Sequence, residues 1–179
     1  MAEAGILERS LSISLGALIF ALLLPYMIVV GGLHLDRSLG FPQLGVMWML
    51  LGALLVALGL PLAAWSVYIQ HSLGKGTPVP MVPTQRLIVT GPYRYCRNPM
   101  AFGTFLAYYG ISMLFRTVSG IFITSLLLLI VIAYIKLVEE RELAERFGAE
   151  YLEYKERTPF FIPRIWGREE KNDLGKDRM

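Results

Sequence analysis

The chain is poor in charge, in cysteine and in histidine. Only 17% of its 179 residues are Asp, Glu, Lys or Arg, against about 25% in a soluble globular domain. That excludes a water-facing surface around the whole molecule. One cysteine, Cys96, excludes a disulfide framework and a cysteine metal centre, and no metal site is expected. His34 reads as solvated. His71, at the end of an apolar run, reads as an interfacial histidine with a structural hydrogen bond, or else as a base lining a pocket. "GKGTPVP" lacks the G-x-x-x-x-G-K-[ST] spacing, which excludes a phosphate loop. No basic-aromatic module stands apart from the oily runs, so nucleic acid is not an expected partner. There are no internal repeats and no low-complexity tract.

What the chain has is hydrophobic sequence, 55% of all residues with a mean hydropathy of +0.52. It is gathered into blocks. The first, residues 11–32, carries no charge and is long enough to cross a bilayer. Glu3, Glu8 and a single Arg9 precede it, which favours a retained helix over a cleaved signal peptide. The second spans 44–69, with Gly45, Gly52 and Gly59 at seven-residue intervals on one helix face. Small residues on one face let a neighbouring helix approach closely in lipid; glycines tolerated without such a neighbour would look the same. The third block, 101–115, is short and ends at the turn signal "RTVSG". The fourth, 121–138, runs straight into "EERELAERFGAEYLEYKER". Blocks three and four therefore predict a helical hairpin. The expected fold is an all-α membrane protein, a single domain with about four transmembrane helices.

Orientation is read from Lys and Arg. The 33–43 loop holds only Arg37 and the 116–120 turn only Arg116. The 70–100 connection holds Lys75, Arg86, Arg94 and Arg97, and most other basic residues follow Glu139. The positive-inside rule puts both of these segments in the cytoplasm. The 70–100 connection, rich in Gly and Pro, reads as an ordered, largely non-helical strap, and a loop this long in a small protein is usually functional. Residues 139–163 read as a cytosolic amphipathic helix with a closing segment, and 164–179 as a solvated tail.

The hairpin starts at Asn98-Pro99-Met100 and ends at Glu139-Glu140, so its two ends meet at one interface. Tyr93, Arg94, Arg97 and Asn98 face carboxylates there. A zwitterion suits this: carboxylates for its ammonium, and Asn, Tyr, Arg or backbone donors for its acid group. Two solvated interfacial acids opening an amphipathic helix are the plainer alternative. Pro99 can open the third helix with Asn98 as its N-cap. Tyr151 and Tyr154, three apart, are expected to pack the last helix onto the strap or the headgroups.

The ordered set Gly91-Pro92-Tyr93, Arg97-Asn98-Pro99, Glu139-Glu140, Phe147-Gly148, Tyr151 and Tyr154 resembles the integral-membrane methyltransferases. These include isoprenylcysteine carboxyl methyltransferases and phosphatidylethanolamine N-methyltransferases. The resemblance covers residues 70–163. It implies S-adenosyl-L-methionine as methyl donor, enclosed by the strap and the hairpin ends. It implies cofactor contacts from Gln85, Arg86, Leu87 and Ile88 through backbone, and from Gly91 and Tyr93. Asn98, Pro99, Met100 and Ala101 would form the wall, and Glu139, with Glu140 as second partner, would hold the amino group. Arg97, Asn98 and Glu140 are the catalytic candidates it implies. The carboxyl methyltransferases have Arg-His-Pro-x-Tyr where this chain has Arg97-Asn98-Pro99-Met100-Ala101. Asparagine cannot act as an acid or base. An arginine before the glutamates in those enzymes also has no counterpart, Ile135 standing there with Lys136 beside it. Asn-Pro-Met resembles the phospholipid N-methyltransferases instead. The resemblance thus implies a lipid or lipophilic acceptor entering laterally, between the second span and the hairpin. A phospholipid amine is favoured over a prenylcysteine carboxylate or a small thiol. A non-catalytic membrane scaffold of the same fold is the alternative from another class, and a transporter is a weaker one.

Overall fold

The computed structural model describes residues 15–16, 18–74 and 86–164, and among them every regular element is helical. Helix α1 is Leu18–Leu39, α2 is Val46–Gly74, α3 is Pro99–Leu114, α4 is Val118–Phe147 and α5 is Ala149–Arg157. A 3₁₀ turn occupies Gly91–Arg94. Three helices are long and apolar enough to cross a membrane: α1, α2 through Leu73, and α4. This is a multi-pass membrane protein. Helix α3 has 16 residues, about 24 Å at 1.5 Å per residue, which is short of a hydrocarbon core about 30 Å thick.

Several boundaries differ from those expected. Helix α1 does not stop at residue 32 but continues through Asp36 to Leu39. The charge does not break it because Asp36 accepts from the backbone N–H groups of Ser119 (2.8 Å) and Val118 (3.1 Å) at the start of α4. A carboxylate at a helix N-terminus satisfies donors that have no partner within the helix. Residues 11–14 and 17 of the first block lie outside the described residues. Helix α2 runs to Gly74 rather than 69, so the strap is shorter and His71 sits exposed on the last helical turn. No helix breaker occurs between residues 70 and 73, and Ser72 folds its hydroxyl back onto the carbonyl of Tyr68 at 2.8 Å. The fourth span and the amphipathic segment are one helix as far as Phe147, broken at Gly148, where φ is +54°.

Glycine sets the closest packing. Helices α2 and α3 lie antiparallel, with Gly52 against Gly110 and Gly59 against Gly103 and Ala107. A Cβ on Gly59 would lie 2.6 Å from both the Ala107 nitrogen and the Gly103 oxygen, and one on Gly52 would lie 2.7 Å from the Gly110 oxygen. Two of the three heptad glycines therefore serve contact. Gly45 lies before α2 and meets only Trp48, at 4.0 Å.

On the other side of α3, Tyr108, Phe105 and Ile28 form a core shared with α4 and α1. Residues Leu18–Leu23 are wound as a π-helix, in which each N–H seeks the carbonyl five residues back. Pro25 has no N–H to offer Phe20. The Tyr108 hydroxyl donates to the Phe20 carbonyl at 2.5 Å instead, which is how a helix irregularity is satisfied where water is absent. At the far end Thr117 caps α4 by accepting from the Gly120 N–H at 3.0 Å. There Arg116, at φ +56°, donates from Nε to the Leu44 carbonyl at 2.5 Å and ties the connection before α2 to the turn between α3 and α4.

Candidate active site

The strap end of the bundle is built around one backbone path. Gly91 turns the chain at φ +59°, and a Cβ there would meet Ile69 Cγ1 at 3.2 Å. Glycine answers both constraints. The 3₁₀ turn that follows closes through Tyr93 N–H to Thr90 O (3.2 Å) and Tyr95 N–H to Pro92 O (3.1 Å). Helix α5 holds it from outside, since the Tyr154 hydroxyl donates to the Tyr93 carbonyl at 2.7 Å. Residues 95–98 then run beside the segment that follows α5. The Arg97 N–H donates to Pro159 O (2.9 Å) and the Arg164 N–H to Tyr95 O (3.0 Å).

Asn98 belongs to this seam. It sits at the N-cap position of α3, with buried Pro99 as first helical residue, but its side chain makes no cap hydrogen bond. Its amide donates to the Phe160 carbonyl at 2.8 Å. The expected cap is therefore present in position and absent in chemistry.

Arg97 and Glu140 form a buried pair, with side chains 11% and 10% exposed. Arg97 Nη1 donates to Glu140 Oε1 at 2.5 Å, and Lys155 Nζ donates to Oε2 at 2.7 Å. Arg97 Nε donates to Thr158 O (3.1 Å), and Nη1 also reaches the Tyr151 hydroxyl (3.3 Å). The Phe160 ring lies under Arg97 and under Lys136, at 5.5 and 4.8 Å from its centroid. A charge is buried tolerably only when paired and hydrogen-bonded, and both Glu140 oxygens are so occupied.

Glu139 is placed otherwise. Ile135–Glu139 is a π-helical stretch. A π turn inserts a residue into the helical register and re-aims the side chains after it. Glu140 points into the seam, while half-buried Glu139 has no ion pair among the described residues. The Tyr93 phenol titrates well above its ordinary range, first because it is buried and then because the Glu139 carboxylate is near. The Tyr93 hydroxyl also points at Gln70 Oε1, at a long 3.5 Å. Burial likewise raises Tyr154, and pushes the Cys96 thiol up to about 11.

The remaining candidates fall around this centre. Ile88 is buried, Leu87 half-buried and Arg86 exposed; Met100 and Ala101 are half-buried on the first turn of α3. Gln85 lies outside the described residues. Tyr151 and Tyr154 do pack α5 onto the strap. Lys155, Thr158, Phe160 and Phe161 had no assigned role in the sequence. Phe161 packs on the Ile28–Phe105–Tyr108 core and edge-on to Phe102 at 5.5 Å. The aromatic pair between Pro159 and Pro163 was the available signal for a segment pinned back onto the bundle. Beside the seam, between α2 and α3, lies an apolar cavity of about 550 Å³ lined by Leu58, Leu62, Trp65, Phe102 and Leu106. Its walls include Pro92 and Pro99, the chain neighbours of Tyr93 and Asn98.

The fold defines a class: a helical integral-membrane protein, with a half-buried carboxylate without an ion pair among the described residues at Glu139 and an apolar cavity between α2 and α3. The family model described as phospholipid methyltransferase matches residues 47–150. That is more than half of the chain, and the chain belongs to this family of membrane methyltransferases. The match includes α2, the strap, α3, α4 and the start of α5. No curated protein and no solved structure matches the chain.

Proposed function

We propose that this protein transfers a methyl group from S-adenosyl-L-methionine to the amine of a membrane phospholipid. The observation that carries the reading is the contrast between the two adjacent glutamates. Glu140 has both oxygens bound to cations. Glu139, one residue away, is half-buried near Tyr93 and forms no ion pair among the described residues. A desolvated carboxylate without a counter-ion suits an incoming ammonium, and the amino-acid moiety of the cofactor carries one. The donor set fits the group.

In this account Glu139 holds the cofactor's ammonium, Tyr93 and the first turn of α3 form its wall, and the backbone of 86–88 closes the other side. Arg97, Asn98 and Glu140 act one step back. They fix the 95–98 path and the 158–164 segment against it, and are positioning residues. The cofactor supplies an electrophilic methyl on a sulfonium. The residues around it would have to align an acceptor nitrogen with that methyl group and admit the nitrogen without its proton. The apolar surroundings of Pro92, Pro99 and Phe102 lower an amine's pKa by desolvation. Chemistry of this kind needs alignment more than a strong base, consistent with asparagine at position 98. Although short, helix α3 crosses as the third of four passes, packed along α2. The strap end faces the cytoplasm, as the basic residues there favour, and the acceptor enters sideways from lipid.

Calorimetry with S-adenosylhomocysteine tests the assignment. Glu139→Ala should weaken binding by about 1.5–3 kcal/mol, the worth of a hydrogen bond to a charged group. Glu153→Ala, in an exposed pair with Arg157, should bind like the parent. Equal affinity in the parent and Glu139→Ala removes Glu139 from the site.

A further inference from the structure

The cavity between α2 and α3 has a direction. Trp65 stands near the strap end of α2 and Leu58 seven residues deeper; Phe102 and Leu106 follow the same descent on α3. Seven helical residues rise about 10 Å, some two thirds of one leaflet of a hydrocarbon core about 30 Å thick. The walls stay open to lipid, with Leu58 56% and Trp65 46% exposed. At the shallow end the lining changes to Tyr95 and Pro163. Each is followed or preceded by an exposed arginine, Arg94 before Tyr95 and Arg164 after Pro163. The Arg164 N–H to Tyr95 O bond of 3.0 Å holds the two segments together. Neither arginine side chain is paired with a carboxylate among the described residues.

We infer that this groove seats one acyl chain of a glycerophospholipid, with the lipid phosphate against Arg94 and Arg164. The two exposed arginines next in sequence to the shallow lining select the occupant. A neutral lipid would fill the apolar part and leave two cations unanswered, whereas a phosphodiester answers them at the depth where headgroups lie. The seat also orders the acceptor. With the phosphate held at Arg94 and Arg164, the headgroup amine is one short linker away, beside Tyr93 and the start of α3. This inference rests on the phospholipid acceptor proposed above, but it concerns where the lipid sits, which labelling reads without turnover.

The test uses the full chain in nanodiscs and a phosphatidylethanolamine with a diazirine midway along one acyl chain. A diacylglycerol with the same chain is the comparison probe. Phosphatidylethanolamine should label peptides holding residues 58–65 and 99–106 about tenfold more than those holding lipid-facing Leu126 and Leu129. Diacylglycerol should label the groove about tenfold less, and Arg94→Gln with Arg164→Gln should bring the two probes level. Leu62→Trp should abolish the preference by filling the groove. Leu58→Phe, on an exposed wall, repeats that test with little demand on folding. Labelling spread evenly over all lipid-facing residues overturns the inference, and so does a diacylglycerol that labels the groove as well as phosphatidylethanolamine. Focused labelling in a protein that neither binds S-adenosylhomocysteine nor transfers methyl supports the seat and refutes the methyltransferase account instead.

Discussion

Replacing Glu140 by alanine should cost this protein more stability than the loss of any other carboxylate after α4 leaves the bundle core. The magnitude follows from its surroundings. Arg97 is 11% exposed and would keep its charge, with the Thr158 carbonyl and the Tyr151 hydroxyl as remaining partners. Removing one partner of a buried pair costs about 3–5 kcal/mol. Lys155 is 42% exposed and can turn to water, so the lower end, about 3 kcal/mol, is expected. Glu140→Gln keeps an acceptor for Arg97 but turns an amide toward Lys155, and about 2 kcal/mol is expected from the lost charge-assisted bond. Glu145→Ala is the control. Its pair with Arg141 is 66–79% exposed, and such a pair contributes below about 0.5 kcal/mol once solvent screening is counted. Arg97→Met combined with Glu140→Leu should recover much of the loss, because two charges leave the interior together. Denaturant unfolding of the purified protein in detergent, followed by ellipticity, measures all four. A Glu140→Ala protein within about 0.5 kcal/mol of the parent would refute the view that this pair anchors the strap end.

Three further outcomes are expected. Gly59→Ala should destabilise the α2–α3 contact by about 1–3 kcal/mol, because the new methyl meets backbone at 2.6 Å. Gly45→Ala, which has only Trp48 at 4.0 Å, should be neutral in the same unfolding assay. Asn98→Asp should lose the amide donor to the Phe160 carbonyl and set a carboxylate against it. Hydrogen exchange at residues 158–164 should then speed up, and unchanged protection there contradicts the seam. Cys96 is fully buried, with its thiol pushed up to about 11. A thiol titrates from the protonated form upward, so at pH 8 only about one part in a thousand is thiolate. Maleimide should leave it untouched in the folded protein and react after denaturation, which lets cysteines placed at Arg37 and Arg157 report opposite faces of the membrane.

Much of this architecture was legible because the bilayer constrains it strongly. Uncharged runs had to be helices, and the heptad of Gly52 and Gly59 announced a close neighbour, which α3 supplies through Gly103 and Gly110. The meeting of Arg97 with Glu140 followed from the hairpin alone, whereas Asn98 and Glu139 found other surroundings. What was not legible depended on contacts distant in sequence. The continuation of α1 through Asp36 required the N-terminus of α4, more than eighty residues away. The different fates of Glu139 and Glu140 depended on Arg97 and Lys155, which lie far away in sequence and reach only Glu140. Asn98 has the composition of a helix cap, yet the Phe160 carbonyl competes successfully for its amide. Lys155 looked like one more surface lysine, because its partner became visible only once α5 had folded back.

The most direct test of the account is transfer itself. Purified protein in nanodiscs of phosphatidylethanolamine and phosphatidylcholine would be given S-adenosylmethionine with an isotopically labelled methyl group, and the lipids analysed by mass spectrometry. The account predicts labelled N-methyl phosphatidylethanolamine, formed by the parent and by Glu153→Ala and reduced about tenfold or more in Glu139→Ala. Label found on a carboxylate or thiol acceptor but not on the lipid amine, or no label in a protein that remains folded, would contradict it.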